Sequence, residues 1–297
     1  MRQLAILFLL HFQISTFSNF QINFSTLSAS TVNTTLYINR GNFITVQKTS
    51  FPYLAFNGNE IFKPQNIVIN LTTDDVLNLT VINNDSVVHN FAIKEIDGTT
   101  KTINPSDTVS FSLTFPAPGI YIYYDNIGFP KYHSYMGLSG MVCVKNSTDE
   151  KSFYWNIKEH QAIYNKLISQ GGFVSMNVYE PDYFTINGWS HPDLQYDKTA
   201  VVTGKVGDTI HIFIANTGQS NHSIHFHGFH CRVLFSSEDK NHLNRIKDTF
   251  SIKNMQSMIL ELIPDKVGKY SVHDHNLVAV SGGGIHPNGM FVIMEIK

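Results

Sequence analysis

The stretch Asp74–Asn83, DDVLNLTVIN, decides the fold, because its pattern returns later in the chain as Gly207–Asn216, GDTIHIFIAN. In both copies every second side chain is apolar, which is the period of a strand with one buried face. Each copy is followed by histidine and then by a turn that leads to tyrosine, Pro116–Tyr121 in the first copy and Pro264–Tyr270 in the second. An internal repeat of this length indicates two duplicated domains.

Short β-type runs extend outward from both copies, each bounded by Gly, Pro, Asn or Asp. Regular short strands with turn signals favour antiparallel sandwiches over βαβ units, so we predict an all-β fold. The predicted strands of the first copy are Asn66–Leu71, Val76–Ile82, Ser110–Phe115 and Ile120–Tyr124. Those of the second are Thr199–Thr203, Thr209–Ala215, His222–Leu234, Gln256–Leu262 and Tyr270–His273.

The repeats predict domain one at residues 33–147 and domain two at residues 173–297. The linker between them, residues 148–172, has the pattern of a strand followed by a short helix. We expect that helix from about Glu159 to Ser169, ended by Gly171 and Gly172, and we expect it to serve packing.

The composition excludes several classes of function. The chain has 21 basic and 23 acidic residues, a net charge of -2, so it lacks the basic surface that nucleic acid or an anionic membrane requires. Two cysteines cannot build a disulfide framework or a Cys-rich zinc module. We expect Cys143 and Cys231 to be buried free thiols rather than a bridge, so any metal would depend on imidazole, carboxylate and thioether ligands.

The amino-terminal residues predict export. Arg2 precedes the apolar run Leu4–Leu10, and Thr16-Phe17-Ser18 offers small residues for cleavage, so we expect a signal peptide at residues 1–18. No stretch of the sequence is long and apolar enough to span a bilayer. We therefore predict a secreted protein, and N-glycosylation sequons begin at Asn33, Asn70, Asn78, Asn146 and Asn221.

Histidine is the unusual residue of this chain. Eight of its 14 histidines fall between His222 and His286, including the run NHSIHFHGFH at 221–230 and VHDH at 272–275. Successive side chains of a strand point to opposite faces. If these two runs form neighbouring strands, four imidazoles meet on one face, and we call them the four-histidine cluster: His225, His227, His273 and His275.

The opposite face of the same two strands predicts a second set of ligands. There His222 would meet Asp274, and the chain after a Gly-rich loop could bring His286 and Met290 to the same place. Each set has a metal-free alternative. The four-histidine cluster could be a relic or a hydrogen-bonded structural group, although four polar rings on one patch with no obvious partner are better explained by a metal. His160, His191, His211 and His242 are isolated, which is typical of solvent or packing residues, and the side of His230 is open because Gly228 precedes it.

The motifs resemble those of the multicopper oxidases and copper nitrite reductases, which are built from cupredoxin domains. The His-x-x-His-x-His-Gly motif stands at residues 222–228, the Gly-x-Tyr-x-x-His-Cys-His motif at 268–275, and the closing His-Gly-Met segment at 286–290. The resemblance implies two cupredoxin-like Greek-key sandwiches. It also implies a type 1 copper site at His222, position 274, His286 and Met290, with the four-histidine cluster as half of a coupled copper cluster.

Two departures alter what the resemblance implies. Asp274 stands where the family has its type 1 cysteine, and Asp125 occupies that place in domain one. A carboxylate is a harder ligand than a thiolate, so bound copper would be pale, or zinc would replace it. Domain one lacks the paired histidines and keeps only weaker candidate ligands, which are His89, Asp125, His133 and Met136 or Met141.

Three functions follow from this reading. The first is a secreted copper oxidoreductase that uses oxygen and a small reductant such as a phenol, a ferrous salt or an amine. The second is a copper-sequestering or matrix protein without turnover, and the third is a hydrolytic zinc site. Two-domain relatives form trimers in which domain two of one subunit faces domain one of the next, so analogy also predicts a homotrimer.

Overall fold

The computed structural model describes residues 30–128, 132–147, 151–238 and 240–297. The predicted signal peptide, residues 1–18, lies outside this part of the chain. The described residues form two all-β sandwiches, as predicted. Neither α-helix in this part reaches the length and apolarity that crossing a bilayer requires.

Domain one is a sandwich of two sheets. The first sheet has the order β2-β1-β4-β7, and the second has the order β3-β9-β8-β5-β6. Its strands are β1 Thr31–Ile44, β2 Ser50–Asn57, β3 Val68–Thr72, β4 Val76–Asn83, β5 His89–Ile93, β6 Lys101–Ile103, β7 Thr108–Leu113, β8 Gly119–Tyr124 and β9 Ser139–Lys145. The short helix α1, Tyr132–Tyr135, lies between β8 and β9.

Domain two repeats this plan and adds strands at its edge. Its sheets have the orders β11-β10-β13-β18-β15-β16 and β12-β20-β19-β14-β17. Its strands are β10 Lys151–His160, β11 Tyr183–Ile186, β12 Thr203–Gly204, β13 Ile210–Asn216, β14 His222–Phe226, β15 Cys231–Ser236, β16 Ile246–Lys247, β17 Thr249–Ile252, β18 Ser257–Leu262, β19 Gly268–Asp274 and β20 Phe291–Ile296. Helix α2 covers Ala162–Ser169, and 3-10 turns cover Met176–Val178, Asp193–Tyr196, Lys240–His242 and Leu277–Val280.

The repeated stretches place the same positions in the core. Leu77, Leu79 and Val81 of β4 are buried, and so are Ile210, Ile212 and Ile214 of β13. The two strands also end in the same way, because the Asn83 amide donates to the carbonyls of Val87 and Ile103 at 2.8 and 2.9 Å. The Asn216 amide donates to the carbonyls of Ser220 and Ile252 at 2.8 and 3.0 Å. The two copies therefore align residue by residue.

The structure differs from the sequence prediction around the linker. The segment 151–160 is a strand of domain two, since β10 runs parallel to β13 and antiparallel to β11. The predicted helix begins at Ala162 rather than near Glu159, because residues up to His160 are buried in this sheet. The strand predicted at Thr199–Thr203 is wrong for all but its last residue. Turn bonds from the amides of Ala200 and Val201 to the Asp197 carbonyl replace it.

An apolar interface joins the two domains. Ile120 and Ile122 of β8 and Cys143 of β9 lie in one buried cluster with Phe213 of β13 and Ile259 of β18. Cys231 is buried in domain two, and both cysteines are free thiols, as predicted. The outer face of one domain-one sheet therefore packs on the outer face of a domain-two sheet.

Candidate metal centre

The two histidine runs lie on neighbouring strands. β14 pairs antiparallel with β19, and His225 lies directly opposite His273. The His225 ring centroid is 4.7 Å from that of His227, 5.8 Å from that of His273 and 5.5 Å from that of His275. His227 and His275 are exposed, while His225 and His273 are half-buried. The four imidazoles thus meet on one accessible face.

Hydrogen bonds orient two of these rings. His225 Nδ1 lies 2.8 Å from the Thr249 hydroxyl, which donates its own proton to Asp248. Nδ1 of His225 therefore donates, and its Nε2 carries the lone pair. His273 Nδ1 donates to the Asp274 carbonyl at 2.7 Å, which leaves its Nε2 as the acceptor nitrogen. Such bonds fix ring orientation and tautomer in metal-binding histidines.

The spacing of two ring nitrogens fits one metal ion. Nε2 of His227 and Nε2 of His273 are 3.0 Å apart. Two imidazole nitrogens bound to one ion at right angles are about 2.9 Å apart, given metal–nitrogen bonds of about 2.0 to 2.1 Å. His225 or His275 would complete the coordination by rotating toward that pair. Burial and the neighbouring imidazoles lower the pKa of His227, which favours the neutral form that binds metal.

The opposite face of β14 and β19 holds a buried ion cluster. His222 Nδ1 lies 2.5 Å from Asp274 Oδ2, and His222 Nε2 lies 2.9 Å from Glu159 Oε2. Burial alone would lower the pKa of His222. The hydrogen bonds that His222 donates to the two carboxylates outweigh the effect of burial and raise this pKa to about 9. Burial opposes ionisation of Glu159, yet its bonds to His222 and to the amides of Ser220 and Gln219 lower its pKa.

This ion cluster does not fit the type 1 copper site that the resemblance implies. Both nitrogens of His222 are engaged by carboxylates, so neither is free for a metal. His286 Nδ1 donates to the Val280 carbonyl at 3.0 Å. Met290 is buried in the core of domain two and lies beside Asp274, whose amide donates to the Met290 carbonyl at 3.2 Å. The sequence reading missed Glu159 because it placed this residue in the linker helix.

Domain one contains a related group of side chains. Asp125 Oδ2 lies 2.8 Å from His89 Nδ1 and 2.8 Å from His133 Nδ1, and His89 Nε2 lies 2.9 Å from Asp85. Arg40 pairs with Asp85 at 2.6 Å. Burial opposes the charge of His89, but its bonds to Asp125 and Asp85 raise its pKa.

The possible ligand atoms of this domain-one group lie close together. Among the residues that the structure describes, His89, Asp125 and His133 form a set whose ligand atoms all lie within 4.8 Å of one another. Met136 is buried in the core of domain one, whereas Met141 lies in the apolar interface between the domains. The structure therefore brings these three residues together, but both nitrogens of His89 are engaged by Asp125 and Asp85, as both nitrogens of His222 are engaged in domain two. Metal binding by either domain's residues stays a prediction.

The strand register also shows what domain one lacks. Ala92 of β5 lies opposite Tyr124 of β8, just as His225 lies opposite His273. Two residues further along each strand, Lys94 and Asn126 take the positions of His227 and His275. Lys94 Nζ donates to the Met255 carbonyl of domain two at 2.9 Å. Domain one therefore offers no imidazole at the four positions that match the four-histidine cluster.

Comparisons with known proteins agree with this fold. Residues 175–290 match the family described as multicopper oxidase. The blue copper oxidase from Nitrosomonas europaea is similar in structure, with a TM-score of 0.75 and 21% identity over 90% of this chain and 86% of that chain. The copper nitrite reductase from Nitrosomonas europaea has a TM-score of 0.70 and 19% identity over 90% of this chain and 94% of that chain.

A multicopper oxidase, mgLAC, is similar at a TM-score of 0.74 and 19% identity, over 91% of this chain and 87% of that chain. No curated protein sequence matches the chain. At these identities the structural likeness establishes the fold, while the family match rests on residues of domain two. The chain is a two-domain cupredoxin-fold protein that is similar in structure to multicopper oxidases and copper nitrite reductases, and its residues 175–290 match the multicopper oxidase family model.

Proposed function

We propose that this protein is a secreted copper oxidoreductase of the multicopper oxidase type that holds copper at the four-histidine cluster and has no blue centre. The observation that carries the proposal is the 3.0 Å separation of the His227 and His273 nitrogens, with two further imidazoles beside them. Imidazole suits copper, and the exposed face leaves room for a substrate ligand. Copper bound there would supply one-electron chemistry between a small reductant and oxygen.

A cavity near the domain boundary is a candidate site for the reductant. It has a volume of about 260 Å³, and its walls include Phe43, Phe62, Tyr183 and Trp189. Rings of this kind bind small aromatic molecules, and Asp193 on the same wall would attract an amine.

Ring contacts lead from this cavity toward the four-histidine cluster. His191 follows two cavity residues in the chain, Trp189 and Ser190, and packs edge-on against Phe291 at 5.1 Å between ring centroids. Phe291 stacks on His273 at 6.1 Å. A reductant in the cavity would thus be joined to the cluster through the backbone between Trp189 and His191 and then through the two ring contacts of Phe291.

A copper-sequestering protein without turnover is the second candidate. It is favoured by the two buried ion clusters, since Asp125 and Asp274 replace the thiolates through which relatives would pass electrons. Under this alternative the four-histidine cluster would bind copper tightly, and the bound copper would catalyse no reaction. A hydrolytic zinc site is the third candidate, and it predicts zinc rather than copper in the isolated protein.

Export and assembly complete the proposal. The sequon asparagines Asn33, Asn70, Asn78, Asn146 and Asn221 are exposed, which agrees with a glycosylated, secreted chain. In the homotrimer that analogy predicts, domain one of a second copy would lie over the four-histidine cluster, whereas the surface residues of this chain, described below, favour a single chain with an open cluster.

Metal analysis and oxygen uptake test these functions. Protein isolated without added metal is analysed for copper and zinc, and the copper-loaded protein is then assayed for oxygen uptake with a phenol, a ferrous salt and an amine. Uptake that is lost in the His225→Ala/His227→Ala variant supports the oxidoreductase. Stoichiometric copper without uptake supports sequestration, and zinc in place of copper supports the third candidate.

A further inference from the structure

The contact between the two domains predicts how a second copy would bind, because both domains have the same plan. Within the chain, the β8–β9 face of domain one packs on the β10–β13–β18 face of domain two. A head-to-tail assembly would repeat this contact between chains. The β19–β20 face of domain two, which carries the four-histidine cluster, would then meet the β1–β4–β7 face of the next copy's domain one.

The β1–β4–β7 face lacks the apolar side chains of its counterpart. In the aligned repeats, Thr80 takes the position of Phe213. Strand register then places Ser110 where domain two has Ile259, and Thr35 where it has Tyr154. Three hydroxyl side chains therefore stand in place of a phenylalanine, an isoleucine and a tyrosine.

The apolar residues of domain two are more deeply buried than the hydroxyl residue that replaces one of them in domain one. Phe213 and Ile259 are buried at 1% and 8% exposure, whereas Ser110 is exposed and lies 3.4 Å from the Thr80 hydroxyl. Two apolar residues, Tyr37 and Ile82, remain half-buried at one end of the face. The centre of the β1–β4–β7 face is thus suited to water rather than to a partner domain.

The same face carries two sequons. Asn33 and Asn78 are exposed, lie opposite each other in the strand register, and are linked by a hydrogen bond of 3.2 Å between their side chains. The threonines of these sequons are Thr35 and Thr80 themselves. A glycan on either asparagine would add bulk where a second copy would have to dock.

The β19–β20 face has also lost its apolar character. Lys269 and Ser271 take the positions that Ile120 and Ile122 hold in β8, and Glu295 takes the position of Cys143. Lys269 is exposed, and Ser271 and Glu295 are half-buried. Met141 alone of the β8–β9 set keeps an apolar counterpart, Ile293. The centre of one required face is therefore polar, and the other face keeps Ile293 and, beside His273, Phe291 as half-buried apolar residues.

We infer that the protein is a monomer, and that its four-histidine cluster is open to ligands from solution instead of being covered by a second copy. Stable subunit interfaces have apolar, well-packed centres, and the chain builds such a centre between its own domains but not on either free face. This inference does not depend on which metal the cluster binds.

The molar mass of the metal-free protein in solution tests the inference. Light scattering after size-exclusion chromatography is applied to full-length protein made with and without glycosylation. We expect the mass of one chain in both preparations. A trimer or other multimer in the preparation without glycans would overturn the inference. Because no metal is present, failure here is distinct from failure of the proposed copper chemistry.

A variant in which both faces are made apolar should gain the ability to self-associate. The variant combines Thr35→Tyr, Thr80→Phe and Ser110→Ile on one face with Lys269→Ile, Ser271→Ile and Glu295→Val on the other. We expect it to self-associate at least tenfold more strongly than the wild type in sedimentation experiments. A control with the first three changes alone offers one face only and should stay monomeric. A folded six-residue variant that stays monomeric would contradict the assignment of these residues.

Discussion

His222 Nε2 lies 2.9 Å from Glu159 Oε2, so a strand that was predicted to belong to the linker supplies a counter-ion to His222. On its other side, His222 meets Asp274. The result is a closed carboxylate–imidazolium–carboxylate group, formed in part by two residues at which the family resemblance implies a type 1 copper site. Domain one has a similar group, in which His89 lies between Asp85 and Asp125.

Replacing His222 by asparagine should destabilise the protein strongly. The change leaves Glu159 and Asp274, both fully buried, without their cation, and breaking a buried ion pair costs about 3 to 5 kcal/mol. Urea unfolding followed by circular dichroism measures the loss. The exposed His230, changed to asparagine, is the control and should shift the free energy of unfolding by less than about 0.5 kcal/mol. A loss of the same small size in His222→Asn would contradict the ion cluster.

The contribution of His222 should fall in alkaline solution. Its pKa is raised from 6.5 to about 9, so its stabilisation is complete below pH 6.5 and is lost as the pH rises through about 9. That shift corresponds to about 3 kcal/mol. The measurement is the difference in free energy of unfolding between wild type and His222→Asn across this range. A difference that stays constant or grows with pH would show that His222 is neutral in the folded protein.

Asp125→Asn should destabilise domain one in the same manner. The Asp125 carboxylate accepts from both His89 and His133 and from the backbone amides of Asn90 and Ile127, so its loss removes the anion shared by two imidazoles. We expect about 3 kcal/mol of lost stability, measured by urea unfolding. The exposed Asp107→Asn is the matched control, and an equal effect of the two changes would refute the role of Asp125.

Binding of a phenol in the aromatic cavity should be visible in tryptophan fluorescence. The chain has two tryptophans, of which Trp155 is buried against Phe226 and Trp189 lines the cavity. Titration of the metal-free protein with a methoxyphenol should change the emission saturably. The change should vanish in Trp189→Phe and persist in Trp155→Phe. A change in emission that persists in Trp189→Phe and vanishes in Trp155→Phe would show that the phenol binds outside this cavity.

Much of the site followed from strand parity. The alternation of residues 222–227 and 272–275 predicted that His225 faces the other three rings and that His222 meets Asp274, and the structure has both relationships. Parity describes local geometry and needs no distant information. That the two histidine runs lie on neighbouring strands was an assumption, and the pairing of β14 with β19 confirms it.

Other features depended on contacts that the sequence pattern does not reveal. Glu159 reaches His222 because β10 continues to His160 beside β13, whereas the sequence pattern predicted that the helix begins near Glu159. The buried end of this strand has too little alternation to show where the strand stops. The position of His286 depends on the path of a Gly-rich loop, which turned its Nδ1 toward the Val280 carbonyl. Asp85 was missed because it lies in the loop between β4 and β5, where strand alternation does not predict the direction of a side chain, although it is only four residues from His89.

Copper titration of the metal-free protein, followed by electron paramagnetic resonance, tests the central proposal most directly. We predict that the wild type binds copper with a tetragonal, nitrogen-rich signal and without an intense sulfur-to-copper absorption band. His225→Ala/His227→Ala should lose this signal and keep its fold, while a control double variant, His211→Ala/His242→Ala, should retain it. An unchanged copper content and spectrum in His225→Ala/His227→Ala would contradict the assignment of the four-histidine cluster as the copper site.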